Sequence, residues 1–145
     1  MAERFFLDTN ILIYSFDHSD QEKQRRAQAL IETAIESGSG IISYQVVQEF
    51  LNVALRRFRV ALLPADVRTY LTRVLMPMCD VYPDGRLYLD ALGVAEETGW
   101  AFYDSLIVAS AAAGGCAALL TEDLQDGRVV RGVSIRNPFR EPRRH

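Results

Sequence analysis

The chain has 145 residues, 49% of them apolar and 24% charged, which suits one folded domain with a single core. It contains no uninterrupted apolar run of about 18 residues and no basic leader followed by an apolar segment, so a cytoplasmic protein is expected rather than an exported or membrane-inserted one. The formal charge of −3 is unevenly spread: residues 128–145 hold six arginines against Glu141, which leaves −8 on residues 1–127.

In chain order, "RFFLD" reads as a short buried strand. "SDQEKQRRAQALIETAIESG" reads as an amphipathic helix capped near Ser19 or Asp20 and stopped by Gly38, with Ala27, Leu30, Ile31, Ala34 and Ile35 as its apolar stripe. "GIIS" is a second strand and "YQVVQEFLNVALRRF" a helix. Pro64 opens a further helix, "PADVRTYLTRVLM", as a proline in the first helical position does. "CDVYP" is a third strand, "DGRLYLDALGVAEETG" a helix ended by Gly99, and "FYDSLIVASAAAGG" an apolar helix ended by Gly114 and Gly115. "CAALLTED" is a strand, and "RVVRGVSIRNP" a last single strand. Cys79 and Cys116 lie far apart in apolar surroundings and read as core residues.

Apolar strands alternating with helices predict an α/β fold, a mainly parallel sheet of about five strands with helices on both faces. In such sheets ligands bind beyond the carboxyl ends of the strands, near the point where strand order reverses. Asp8 ends the first strand, and Asp123 ends "AALLTED" at the same sheet edge. Glu49 falls among Val46, Phe50 and Val53 at helical spacing, on the stripe expected to face the core, and Asp104 opens the most apolar helix.

Singly, each acid has an ordinary explanation: a helix cap for Asp8, Asp104 or Asp123, and an arginine partner such as Arg57 for Glu49. Four carboxylates at a core edge repel one another unless a cation lies between them. No histidine or cysteine accompanies them, since His18 lies in a polar loop and His145 ends the chain, so oxygen-preferring Mg²⁺ or Mn²⁺ fits better than zinc. Acids with such an ion suit hydrolytic attack on a phosphodiester. Thr9, Asn10, Ser43, Asn52, Ser105 and Thr121 are placed to orient the carboxylates, Asn10 and Thr121 most directly. Arg56, Arg57 and Arg59 in "LRRFR", and the basic tail, have the charge to contact phosphates or simply to face solvent. Tyr14, Tyr44, Phe58 and Tyr103 suit the core, or stacking on a nucleobase.

"FLDTNILIY", "VVQEFLNV", "FYDSLIVASA" and "LLTEDLQDG", in that order, resemble the four motifs of PIN-domain nucleases, and specifically the VapC-type toxins of bacterial toxin–antitoxin pairs. The resemblance runs from Phe5 to about Pro138. It implies a three-layer α/β/α sandwich over residues 1–138 with a basic tail at 139–145. It implies a Mg²⁺- or Mn²⁺-dependent endoribonuclease with Asp8, Glu49, Asp104 and Asp123 as the metal site, supported by Asn10 and Thr121. It further implies a homodimer held inactive by a cognate antitoxin.

"TEDLQDG" leaves the fourth acid open among Glu122, Asp123 and Asp126; Asp123 matches the motif, and Glu122 points away if the strand reaches that far. The main alternative is a PIN-like module that binds RNA or protein without turnover. A phosphoryl-accepting receiver would need paired acids after the first strand and a lysine after the fifth, whereas Lys23 is the single lysine. A haloacid-dehalogenase-like phosphatase would need an acid where Asn10 stands.

Overall fold

The computed structural model describes residues 3–56 and 62–140. Its strands are β1 (Phe5–Leu7), β2 (Gly40–Ser43), β3 (Cys79–Val81), β4 (Ala118–Leu120), β5 (Val129–Val130) and β6 (Val133–Arg136). Its helices are α1 (Thr9–Tyr14), α2 (Gln21–Ser37), α3 (Tyr44–Arg56), α4 (Pro64–Tyr70), α5 (Met76–Met78), α6 (Gly85–Thr98) and α7 (Phe102–Ala113). A π-helical turn, Leu71–Leu75, joins α4 to α5. It sits directly ahead of Pro77, which has no amide proton to continue an α-helical ladder.

Local chemistry sets most boundaries. Asp20, not Ser19, caps α2 through the Lys23 amide, while Ser19 donates to Asp17. Gly38 and Gly99 end α2 and α6 in the left-handed region that glycine enters without a Cβ penalty. In the α2 stripe Ala27, Ile31 and Ala34 are buried, but Ile35 is 51% exposed, at the edge of the packed face.

The sheet order is β3-β2-β1-β4-β6-β5. All pairs are parallel except β5–β6. Among the described residues six strands are present where about five were expected, because "RVVRGVSIRNP" is a hairpin. Arg131 and Gly132 both adopt positive φ (53° and 77°), the geometry of a two-residue turn matched to strand twist. Arginine rarely takes that conformation, so the turn leaves little trace in the sequence. The Arg131 side chain lies against Gly93 and pairs with Glu97 at 2.8 Å, tying the hairpin to α6.

Strand order runs outward from β1 through β2 to β3, then returns across β1 to β4. With right-handed crossovers, this reversal puts the α1–α5 segment on one face and α6–α7 on the other. The core includes Phe6, Leu7, Ile11, Ile42, Phe50, Leu119 and Ile135, all fully buried. Removing each such side chain from water contributes roughly 1.5–3 kcal/mol. Ser105 through Ala111 are buried along α7, as its apolar composition requires. Cys79 and Cys116 are free and buried. Among the described residues no helix is long and apolar enough to cross a membrane.

Candidate active site

The reversal of strand order falls between β1 and β4, and the carboxyl ends of these strands carry Asp8 and Thr121. The Asp8 amide donates to the Leu120 carbonyl at 3.0 Å, and the Thr121 amide to the Arg136 carbonyl at 3.0 Å, so both residues leave the sheet in register. Asp8 is also the cap of α1: its Oδ1 accepts from the Thr9 amide at 2.7 Å. Its Oδ2 accepts from the Thr121 hydroxyl at 2.7 Å.

That hydroxyl is fully used. It donates to Asp8 and accepts from Asn10 Nδ2 at 3.4 Å and from the Asp123 amide at 3.1 Å. Asn10 Nδ2 also donates to Asp123 Oδ2 at 3.1 Å, which fixes the orientation of its amide. Asn10 and Thr121 therefore join Asp8 to Asp123.

Burial dominates the electrostatics. Asp8 is 7% exposed, and loss of water pushes its carboxyl up to about 6 from an ordinary 3.8. The bonds from Thr121 and Thr9 oppose that rise, while the charges of Glu49 and Asp123 add to it. Glu49 is raised as well, mostly by loss of water around its carboxyl group and further by Asp104 and Asp123, with Gln45 and Thr9 opposing. Asp104, in the first turn of α7, is raised by loss of water and then by Asp123. The Asp123 charge thus acts on each of the other three acids.

Glu49 does not face the core as its spacing suggested. Val46 and Phe50 take the buried face of α3 and Val53 is half-buried, whereas Glu49 is exposed at the rim. Asp123 is exposed too, and Asp104 half-buried. Among the described residues no three acids, histidines or cysteines close into a metal cage. Beside Asp8, the Asn10 Oδ1 is buried without a hydrogen-bond partner. An all-oxygen set with an unused acceptor fits a hard divalent cation.

The other candidate acids are engaged elsewhere. Asp126 accepts from the Asn137 amide at 2.9 Å and pairs with Arg140 at 3.4 Å. β4 ends at Leu120, yet Glu122 still points away from the acid group, toward Lys23 and Tyr14, each at 2.7 Å. Neither Lys23 nor this role of Tyr14 was legible in the sequence, because both lie about a hundred residues from Glu122 with no motif between them.

Of the remaining polar residues, Ser105 bonds back to Ala101 within its own helix and Ser43 reaches the Val46 amide at 3.5 Å. A cleft of about 450 Å³ lined by Gln45, Gln48, Glu49, Asn52 and Tyr103 opens beside the acids. It shares Gln45, Gln48 and Tyr103 with an uncharged cleft of about 470 Å³ that Tyr44, Tyr88 and Phe102 also line. Tyr44 and Tyr103 are exposed rather than core residues. Arg56 is exposed at the end of α3, seven residues from Glu49 and so on the same helix face. Arg57, Arg59 and Phe58 lie outside the described residues.

The PIN domain model matches residues 5–130. The chain belongs to the PIN-domain family. Solved structures agree in fold. A chain of a toxin–antitoxin complex from Klebsiella pneumoniae is 19% identical, with a TM-score of 0.63 over 92% of this chain and 97% of that one. VapC20 of Mycobacterium tuberculosis, described as a sarcin-ricin-loop-cleaving toxin, is 20% identical, with a TM-score of 0.54 over 79% and 86%. A chain of VapBC2 from Rickettsia felis, bound to a promoter DNA fragment, is 14% identical, with a TM-score of 0.58 over 92% and 97%. No curated protein matches the chain by sequence. Asp8, Glu49, Asp104 and Asp123 all lie within the matched PIN segment.

Proposed function

We propose that this PIN protein is a Mg²⁺- or Mn²⁺-dependent endoribonuclease acting as the toxin of a toxin–antitoxin pair. The observation that carries the reading is the buried Asp8 carboxylate at the strand-order reversal, pushed up to about 6 and within the fields of Glu49 and Asp123, with the unpartnered Asn10 Oδ1 beside it. Such an arrangement is costly for the free protein and becomes favourable with a divalent cation.

Asp8, Glu49, Asp104 and Asp123 would hold the ion. When bound, it supplies Lewis acidity at the phosphate and lowers the pKa of the attacking water. Thr121 and Asn10 keep Asp8 and Asp123 in place, so little reorganisation is needed as charge develops. An acid of the set not committed to the ion accepts the proton of the attacking water as the water oxygen bonds to phosphorus. The bond from phosphorus to the leaving ribose oxygen breaks, and that oxygen takes a proton.

Arg56, Arg57 and the basic tail at 139–145 would contact phosphates of the RNA. The structural neighbours from Klebsiella pneumoniae and Rickettsia felis, both from toxin–antitoxin systems, support an antitoxin partner. The exposed residues Tyr44, Tyr88, Phe102 and Tyr103, which line one cleft, support a homodimer, since scattered apolar exposure is ordinary but a contiguous group is not. A cytoplasmic location follows from this reading.

Cleavage of total cellular RNA by purified, antitoxin-free protein tests the proposal, with Mn²⁺, Mg²⁺ or EDTA and with Asp8→Asn in parallel. Discrete fragments that need metal and vanish in the variant are expected. Folded protein that cuts nothing with either metal would favour a PIN-like binding module instead.

A further inference from the structure

Thr121 and Asp123 both belong to the acid network, yet the segment after β4 has no regular structure until β5. Thr121 is held from the sheet through its amide, and Asp123 is held through its own amide by Thr121. Glu122, between them, turns the other way. Both of its carboxylate oxygens are occupied: Oε1 accepts from the Tyr14 hydroxyl and Oε2 from Lys23 Nζ, each at 2.7 Å.

Lys23 is held as firmly. Its ammonium also lies 3.4 Å from the Tyr14 hydroxyl, 4.7 Å from the centre of the Tyr14 ring and 5.6 Å from that of Phe139. Phe139 meets Tyr14 edge-on at 5.1 Å. The preceding residue is fixed from α2, because Arg26 Nε donates to the Pro138 carbonyl at 3.2 Å. The Lys23 and Glu122 side chains are 32% and 26% exposed, so solvent screens the pair less than a pair on the open surface. With its protons directed at Glu122, Tyr14 and the rings, this ammonium is not a free phosphate contact.

We propose that Lys23, through Glu122 and with Tyr14 and Phe139 as its seat, is a positioning residue that holds Asp123 in the active site. The inference rests on the nuclease reading for its catalytic consequence only. Holding residue 122 outward fixes the path of the chain on either side of it. The Thr121 hydroxyl and the Asp123 carboxylate then stay on the Asn10 side, and the C-terminal segment at 137–140 is tied to the same point.

The test compares wild type with Lys23→Met, Lys23→Arg, Glu122→Gln and the Lys23→Met/Glu122→Gln double variant. It reads amide hydrogen exchange at Asp123 and steady-state cleavage of RNA with Mn²⁺. In Lys23→Met we expect faster exchange at Asp123 and a kcat lowered about 10- to 100-fold at nearly unchanged KM. Lys23→Arg should restore most of the loss, because it keeps the charge and a hydrogen-bond donor. The double variant should be no worse than Lys23→Met, as for two residues that act as one unit.

Exchange and kcat at wild-type values in Lys23→Met would overturn the proposal. So would a loss that appears in KM alone, which would make Lys23 an RNA contact. If wild type cuts no RNA, the nuclease reading fails. The exchange measurement then decides the positioning role by itself: faster exchange at Asp123, recovered in Lys23→Arg, upholds it, and unchanged exchange overturns it.

Discussion

The Thr121 hydroxyl donates to Asp8 Oδ2 at 2.7 Å across 113 residues of sequence, its one acceptor among the described residues. Its two remaining neighbours, Asn10 Nδ2 and the Asp123 amide, are donors, so the hydroxyl proton is committed to Asp8. One threonine thus fixes the buried acid and the exposed one together.

Replacing Thr121 by valine keeps the shape but strands one Asp8 oxygen and the Asp123 amide. A loss of about 1–3 kcal/mol in unfolding free energy is expected from urea titration, with a fall in RNA cleavage. Serine at this position should retain most of the activity. Equal stability of Thr121→Val and wild type would mean that the hydroxyl carries no such role.

Asp8→Asn removes the buried charge. RNA cleavage should fall at least about 100-fold. The metal-free variant should nevertheless be more stable than wild type at pH 7, by about 1–2 kcal/mol. The relieved burial cost is partly offset by one hydrogen bond, because the Asn NH2 takes the place of one carboxylate oxygen and cannot accept from the donor, Thr9 or Thr121, that faced it. Calorimetry in EDTA reads this directly, and a destabilised variant would count against the charge as the source of strain.

The raised pKa of Asp8 sets the sign of a pH effect. The folded protein binds this proton more tightly than the unfolded chain does, so the contribution to stability is fully present below about pH 4. It is lost as pH rises through about 6. The full difference is about 3 kcal/mol. Glu49 and Asp104 shift in the same direction, whereas Glu122, held down by Lys23 and Tyr14 despite its partial burial, works the other way. The stability gap between Asp8→Asn and wild type, followed from pH 4.5 to 7.5 without metal, isolates the Asp8 contribution and should widen with pH. Mn²⁺ should raise the wild-type Tm more at pH 7 than at pH 5, since the ion competes with the proton.

Arg56 shares the Glu49 face of α3 and is exposed. Arg56→Ala should weaken RNA binding about uniformly across sequences and reduce the slope of log affinity against log salt by about one. A loss independent of salt would exclude a phosphate contact.

Gly40 of β2 passes beneath α2, and a Cβ there would come 2.1 Å from the Ala34 methyl. Gly40→Ala should cost roughly 1–3 kcal/mol by forcing sheet and helix apart, measured by thermal unfolding.

Most of the order of elements, apart from α1 and the β5–β6 hairpin, was determined by the sequence alone, because apolar runs, capping residues and helix-ending glycines act within a few residues of themselves. Asp20, Gly38, Asp84 and Gly99 mark α2 and α6 in this way. The four acids drew attention only as a set, since each singly has an ordinary place as a helix cap or an ion-pair partner. Tertiary structure alone decided the rest. The Arg131–Gly132 turn depends on a backbone conformation that arginine does not advertise, and Glu49 lies at the rim because α3 buries only the face that meets the sheet and α1. Lys23, Tyr14, Glu122 and Phe139 become neighbours only when β4 is laid beside β1, since charge pairing and ring contact act through space and leave no spacing to read.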